Sequence, residues 1–232
     1  MKKIVMMGII LAAFLASVGL VSAGAVSENL VSNGGFEAPV TIGNWELFPQ
    51  GNGGSGWYVE STGEGVATDS GRLEIRNQST AIVSPSEGSQ YAQLNPRHPG
   101  IQEGTVTLSQ TIPQVRGNIY RISFVQSCRP DDPAPSSLAV FWGDEQLDHT
   151  SCPSGRAAVW ISRSYTVTAT SNESVQLKFV NEGSGDSYGT LLDDVSVRAV
   201  NDPMPVPEFP LGVVPAFLFG FIGFIHILRK DH

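Results

Sequence analysis

The segment Val106-Thr107-Leu108-Ser109-Gln110-Thr111-Ile112 alternates apolar and polar residues, and Ile119-Tyr120-Arg121-Ile122-Ser123-Phe124-Val125 does the same. A period of two gives an extended chain one apolar face. Between residues 24 and 200 no stretch of helix length repeats its apolar residues at i, i+3, i+4 and i+7. Short alternating or β-branched runs are instead separated by Gly, Pro, Asn and Asp. This pattern predicts strands near Trp57–Val59, Arg72–Arg76, Gln90–Leu94, Thr105–Ile112, Ile119–Gln126, Leu138–Trp142, Glu145–Leu147, Val159–Val167, Ser174–Val180 and Leu191–Val197. Gly143-Asp144 predicts a hairpin turn between two of them. Many short strands with frequent turns predict an all-β fold, a β-sandwich or jelly roll. No internal repeat is visible, so residues 24–200 read as one domain.

The mean hydropathy of −0.00 over 232 residues averages unlike parts. Met1-Lys2-Lys3 is positive, Ile4 to Val21 is apolar, and Val21-Ser22-Ala23 and Ala23-Gly24-Ala25 are small-residue cleavage sites. Together they predict a secretory signal peptide over residues 1–23, with an uncleaved N-terminal anchor as the alternative. At the other end, residues 201–210 form a Pro-rich linker, residues 211–228 an apolar span and residues 229–232 a basic tail. Eighteen residues at about 1.5 Å each span about 27 Å, against a hydrocarbon core of about 30 Å. That predicts a transmembrane helix. Arg229 and Lys230 keep its end cytoplasmic by the positive-inside rule and put the body outside.

The tail resembles the PEF-CTERM sorting signals of archaeal surface proteins, through Pro207, Glu208 and Phe209, the apolar span and the terminal basic pair. The resemblance implies recognition by an archaeosortase, a membrane transpeptidase, with loss of the helix and attachment to a lipid. The logic parallels a GPI signal. A plain single-pass anchor is the alternative. Both place the body at the extracellular face of the cell membrane.

Between residues 24 and 207 there are ten basic and twenty acidic residues, a balance of 10 − 20 = −10. Nucleic-acid binding is driven by Lys and Arg neutralising phosphates, and no basic run exists to do it. Cys128 and Cys152 are the only cysteines. In an exported chain they read as one disulfide, with free thiols as the alternative. Without a CxxC spacing they make a poor zinc site.

The body opens with Asn29-Leu30-Val31-Ser32-Asn33-Gly34-Gly35-Phe36-Glu37 and closes with Leu191-Leu192-Asp193-Asp194-Val195-Ser196-Val197. Between them lie Gln90-Tyr91-Ala92-Gln93-Leu94-Asn95, Leu108-Ser109-Gln110-Thr111-Ile112 and Tyr120-Arg121-Ile122-Ser123-Phe124. This order resembles the galactose-binding-like jelly-roll superfamily, and is especially similar to its carbohydrate-binding-module type domains, including an exported family of unknown function. The resemblance covers roughly residues 28–200. It implies a structural Ca²⁺ where the first and last strands meet, held by Asn33, Gly35, Glu37, Asp193 and Asp194. Ca²⁺ takes six to eight oxygens from carboxylates and carbonyls, so the residue types suit it. Adjacent Asp193 and Asp194 face opposite sides of a strand, so only one is a direct ligand unless a bulge intervenes. The alternative is that Glu37 and Asp193 bond loop amides.

Such modules bind sugars by stacking aromatic rings on pyranose faces. Trp57 and Tyr58 follow a glycine-rich loop, and adjacent strand residues cannot both point inward. Tyr188 sits in a polar loop, and Arg129 follows Cys128 in another. These four are the ligand-binding candidates, Arg129 having a structural carboxylate pair as its alternative. Gly51-Asn52-Gly53-Gly54-Ser55-Gly56 matches GxGxxG, but a strand rather than a helix follows it, so it reads as a flexible connection rather than a nucleotide loop. Asn77 and Asn172 stand in N-glycosylation sequons. No HExxH is present. The chain therefore reads as a non-catalytic cell-surface protein that binds carbohydrate or adheres. The alternatives are a structural envelope component without a sugar site and a polysaccharide hydrolase.

Overall fold

The structure, a computed structural model, describes residues 27–48, 50–52, 56–62, 73–78, 82–94, 105–130, 135–153, 155, 157–183 and 189–200. The signal peptide, the linker with Pro207, Glu208 and Phe209, the 211–228 span, the basic tail and Tyr188 lie outside the described residues. Among the described residues no helix is long and apolar enough to cross a membrane.

The described strands are β1 (Trp45–Phe48), β2 (Gly51–Asn52), β3 (Tyr58–Thr62), β4 (Leu73–Asn77), β5 (Gln90–Leu94), β6 (Thr105–Ile112), β7 (Ile119–Ser127), β8 (Ser136–Trp142), β9 (Glu145–Cys152), β10 (Ile161–Thr168), β11 (Val175–Gly183) and β12 (Leu191–Ala199). All pairings are antiparallel. They make two six-stranded sheets, one ordered β1-β4-β5-β12-β7-β10 and the other β2-β3-β6-β11-β8-β9. The chain is an all-β sandwich of two antiparallel sheets.

Alternation decides which side chains fill it. On β6, Val106, Leu108 and Ile112 are buried while Thr107 and Ser109 stay half-exposed on the other face. On β7, Tyr120, Ile122 and Phe124 enter the same core. Rings then cross the core from sheet to sheet. Phe36 stacks on Trp57 at 5.7 Å, Trp57 meets Phe179 edge to face at 6.1 Å, and Phe179 meets Phe124 at 5.2 Å. Tyr165 on β10 extends the row from Phe124 at 6.2 Å. Such pairs add about 0.5–1.5 kcal/mol each beyond the area they bury. The Cys128–Cys152 disulfide forms, closing a separation of 24 residues. It ties the end of β7 in one sheet to the end of β9 in the other.

Gly143 takes φ +62° between β8 and β9, as the first position of a two-residue hairpin turn requires. Three details depart from the sequence expectation. β1 and β2 are additional strands. β1 is an edge strand with two exposed residues, and β2 is two residues held only by β3, so neither carries an alternation signal. β2 also draws Gly51 and Asn52 out of the run read as a flexible connection. β9 continues to Cys152 rather than ending at Leu147, because it is an edge strand whose mostly polar residues pair along β8 with a bulge at Val140/Phe141.

Candidate functional site

Two places on the sandwich gather polar side chains with defined geometry. The first is a clasp where the N-terminal segment crosses the last strand. Leu30 N–H donates to Val197 O at 2.8 Å and Val195 N–H to Gly34 O at 3.0 Å. Only glycine fits at position 34, since a Cβ there would lie 1.9 Å from Val195 O. The described non-glycine residues with positive φ are Asn33 (52°), Phe36 (57°) and Asp194 (48°), all in this clasp. Left-handed backbone is costly outside glycine and persists only where the surroundings impose it.

Two carboxylates hold the segment before β5 against this clasp. Glu37 Oε1 accepts from the N–H groups of Ser89 at 2.8 Å and Gln90 at 2.9 Å. Asp193 Oδ2 accepts from Ser86 N–H at 2.8 Å and Glu87 N–H at 3.0 Å, and its Oδ1 from Asp194 N–H at 2.8 Å. Asp193 is fully buried, and that burial pushes its carboxyl up to about 7, against the downward pull of its three amide donors. Glu87, absent from the sequence expectation, belongs to the same group. Desolvation raises its pKa first, then the hydrogen bond and charge of Asp194, then the charge of Glu37. A register shift between Asp193 and Ser196 supplies the bulge that adjacent acids would need to act together. Among the described residues, however, no group of three or more His, Cys, Asp or Glu side chains is arranged to hold a metal ion. Asn33 is also engaged: its Oδ1 accepts from Ala38 N–H at 3.0 Å and its Nδ2 donates to Ala38 O.

The second place is a groove of about 520 Å³ on the outer face of the β2-β3-β6-β11-β8-β9 sheet. Its floor is the outward row of β6: Thr107, Ser109 and Thr111. One wall is Tyr58 and Glu60 of β3, and the other is Gln176 and Lys178 of β11. The register aligns Tyr58 with Ser109 and Ser109 with Lys178, so the three form one row across the strands. Gln110 closes one end. Its Oε1 accepts from Ser32 N–H at 2.7 Å, and its Nε2 donates to Gly56 O at 3.0 Å. Short hydroxyl side chains between longer walls make the trough. Tyr58 offers its ring to solvent at 53% exposure.

Among the described residues, the other sheet has no equivalent open face at its centre. Every residue of β5 is buried on both sides. Trp160 packs edge-on against Tyr91 at 5.7 Å and donates its indole N–H to Ser84 O at 2.7 Å. Glu74, beside Tyr91 in the outward set, is buried and ion-paired with Arg76.

The sequence candidates therefore separate. Trp57 is corrected: it is fully buried, stacks on Phe36 and donates its indole N–H to Asn33 O at 3.1 Å, so it offers no ring to a ligand. Tyr58, its neighbour, takes the outward position. Arg129 follows β7 in the covered sheet and donates to Gln93 Oε1 at 3.0 Å, away from the groove wall strands. There it favours the charged form of Glu74, after Arg76, against the burial that raises Glu74. Asn77, the first of the two sequon asparagines, has its side-chain amide engaged within the fold. Its Nδ2, the atom a glycan would occupy, donates to Thr41 Oγ1 at 3.2 Å and to Gly43 O in a half-buried setting. Asn172 is exposed, with its Oδ1 accepting from Arg116 N–H at 2.8 Å. The sequence reading missed Lys178, Glu60 and Gln176. The signal was present, since Gln176-Leu177-Lys178-Phe179 alternates and the groove lines its polar side.

No protein-family model matches the chain, and no curated protein matches it. Solved structures are similar to it at low identity. A carbohydrate-binding module, TmCBM61, solved in complex with β-1,4-galactotriose, superimposes with a TM-score of 0.44 and 15% identity, over 75% of this chain and 100% of that one. The CBM22-1 xylan-binding domain from Paenibacillus barcinonensis Xyn10C gives 0.35 and 18%, over 75% and 96%. The K1 cleaved adhesin domain of Lys-gingipain from Porphyromonas gingivalis W83 gives 0.46 and 15%, over 68% and 99%. Identity and superposition are both low, so the chemistry of the site rests on its own residues.

Asp193 makes the clasp pH-dependent. Its carboxyl rises from 3.8 to about 7 on folding, so the folded chain keeps a proton that the unfolded chain has lost. That contribution to stability is complete below about pH 4 and is lost as pH rises to about 7. Asp193→Asn removes the titration. In EDTA, the stability of the natural chain relative to this variant should fall between pH 4 and 8, by up to about 4 kcal/mol at 1.36 kcal/mol per unit, and then level off. Denaturant titrations at several pH values read it, and a difference flat across that range contradicts it.

Proposed function

We propose that this chain is a non-catalytic carbohydrate-binding protein with a galactose-binding-like jelly-roll body, displayed at the extracellular face of the cell membrane. The observation that carries the reading is the groove over β6. An exposed tyrosine ring stands beside a floor of three hydroxyl side chains, with Glu60, Gln176 and Lys178 at the walls. Sugars present apolar C–H faces and polar edges. Concave sites that combine an aromatic surface with a few placed polar groups suit them. Glu60 is the one carboxylate among the described lining residues, whereas glycoside hydrolysis uses a flanking pair. Binding without turnover is the simpler use of this groove.

The disulfide supports an exported location, because such bonds persist in oxidising compartments. Tethering through the C-terminal segment, processing by an archaeosortase and a glycan on Asn172 complete the reading. The intact mass of envelope-extracted protein tests all three. Retention of residues 211–232 would remove the processing step.

Calcium at the clasp belongs to the same proposal. What supports it is the like charge of Glu37, Glu87 and Asp194, which a divalent cation would neutralise. The residues that would hold it are Asn33, Gly35, Glu37, Asp193 and Asp194, which would have to close on the ion because the described carboxylates are not arranged to hold one in this structure, and its contribution would be structural. Calcium added after EDTA should raise Tm, with stabilisation of about 2.7 kcal/mol at a hundredfold excess over Kd. An unchanged Tm removes the cation.

For the groove, a glycan array should give saturable binding to at least one polysaccharide. Tyr58→Ala should weaken that binding by about tenfold or more, while stability stays within about 0.5 kcal/mol because the ring is exposed. Silence across the array would favour a structural envelope role.

A further inference from the structure

Residues 24–207 contain one lysine, and the fold puts it in the groove: Lys178 lies on the wall formed by β11. Its position follows from the core. Leu177 and Phe179 are fully buried, so the residue between them faces outward. Its cross-strand neighbours are uncharged, Ser109 on β6 and Phe141 on β8. The ion pairs among the described residues are Arg76–Glu74, His149–Glu182 and Arg163–Asp148, and Lys178 takes part in none of them. Its ammonium instead stands 5.5 Å from the centroid of the Phe141 ring. A cation over a ring face is held in place with its charge unneutralised. Glu60 lies on the opposite wall, two strands away, at a lateral spacing of about 10 Å.

Resting on the reading of the groove as a sugar site, we propose that its ligand is a glycan bearing an anionic group, which Lys178 holds while a neutral sugar ring lies on Tyr58. Tyr58, Ser109 and Lys178 share one row, and two strand spacings of about 4.8 Å separate the backbone positions of Tyr58 and Lys178, with the ammonium leaning further out toward Phe141 on β8. That span is wider than one sugar ring and suits an oligosaccharide laid across the strands. An ammonium is a compact point charge with three donors, suited to a uronate carboxylate or a sulfate ester alike. The surrounding charge opposes such a ligand and makes any preference for it diagnostic of the local contact. At −10, the body repels a polyanion at a distance, so non-specific attraction does not mimic the local contact.

The test uses the full chain in a non-ionic detergent at low salt. Isothermal titration compares two pairs of polymers: polygalacturonate with its methyl ester, and a sulfated galactan with the same galactan desulfated. In one pair the charged member should bind about tenfold tighter, equivalent to about 1.4 kcal/mol. The pair that shows the preference distinguishes carboxylate from sulfate. Lys178→Gln should bring the charged polymer down to the affinity of its neutral partner, and Lys178→Arg should keep the preference. Equal affinities within both pairs, or a preference that survives Lys178→Gln, overturn the proposal and leave the sugar reading standing. No binding to any of the four polymers overturns the proposal, and silence across the glycan array as well overturns the sugar reading with it.

Discussion

Trp57 and Phe179 meet edge to face inside the sandwich, and the outer surface of their sheet is set by that contact. Both rings belong to a row that runs from Phe36 through Phe124 to Tyr165 and so joins the two sheets. In a strand the next residue must point the other way. With Trp57 inside, Tyr58 stands outside; with Phe179 inside, Lys178 stands outside. The groove is thus the reverse side of the core. A slip of one residue in β3 would expose the tryptophan, and one in β11 would bury the lysine, which is why the register is strongly specified. Packing and ligand chemistry are one constraint read from two faces.

The two sheets divide their outer faces between different tasks. In the β1-β4-β5-β12-β7-β10 sheet, the outward side chains of β5 and Asp193 of β12 are buried. Asp193 captures the N–H groups of Ser86 and Glu87 in the segment before β5, and Glu37 captures those of Ser89 and of Gln90, where β5 begins. Hydrogen bonds to a charged partner contribute about 1.5–3 kcal/mol each, but a buried carboxylate also carries a desolvation cost. Burial accordingly raises the pKa of Asp193 against the pull of its amide donors. The strained backbone at Asn33, Phe36 and Asp194 lies in the same clasp. This face spends its chemistry on holding the chain together. The opposite sheet keeps an outward row of Ser, Thr, Gln and Lys open to solvent.

How much of this was legible in the sequence depends on where each signal lies. β6 and β7 are readable because their alternation is local and their inner residues are strongly apolar. The disulfide was legible because two cysteines in a chain read as exported are expected to pair. The Trp57–Tyr58 pair announced that one ring faces out, but not which; the choice is made by Phe36 and Phe179, distant in sequence. Glu87 has no local signature, because its role arises only when the segment carrying it meets Asp193. Asn77 looks like any sequon until Thr41 and Gly43 are brought against its amide. β1 and β2 escaped because edge strands are defined by a neighbour rather than by their own pattern. Lys178 was the readable omission, being the body's one lysine between two core residues.

The central claim is that ligand meets the outer face of the β2-β3-β6-β11-β8-β9 sheet. Amide chemical-shift mapping by NMR tests it most directly, with the isotopically labelled chain titrated with an oligosaccharide that it binds. The account predicts that the largest shifts fall on Tyr58, Glu60, Thr107, Ser109, Gln176 and Lys178, with the Asp193 clasp unmoved. Shifts centred on the clasp or on the Arg129 segment, with the β6 row silent, would contradict it.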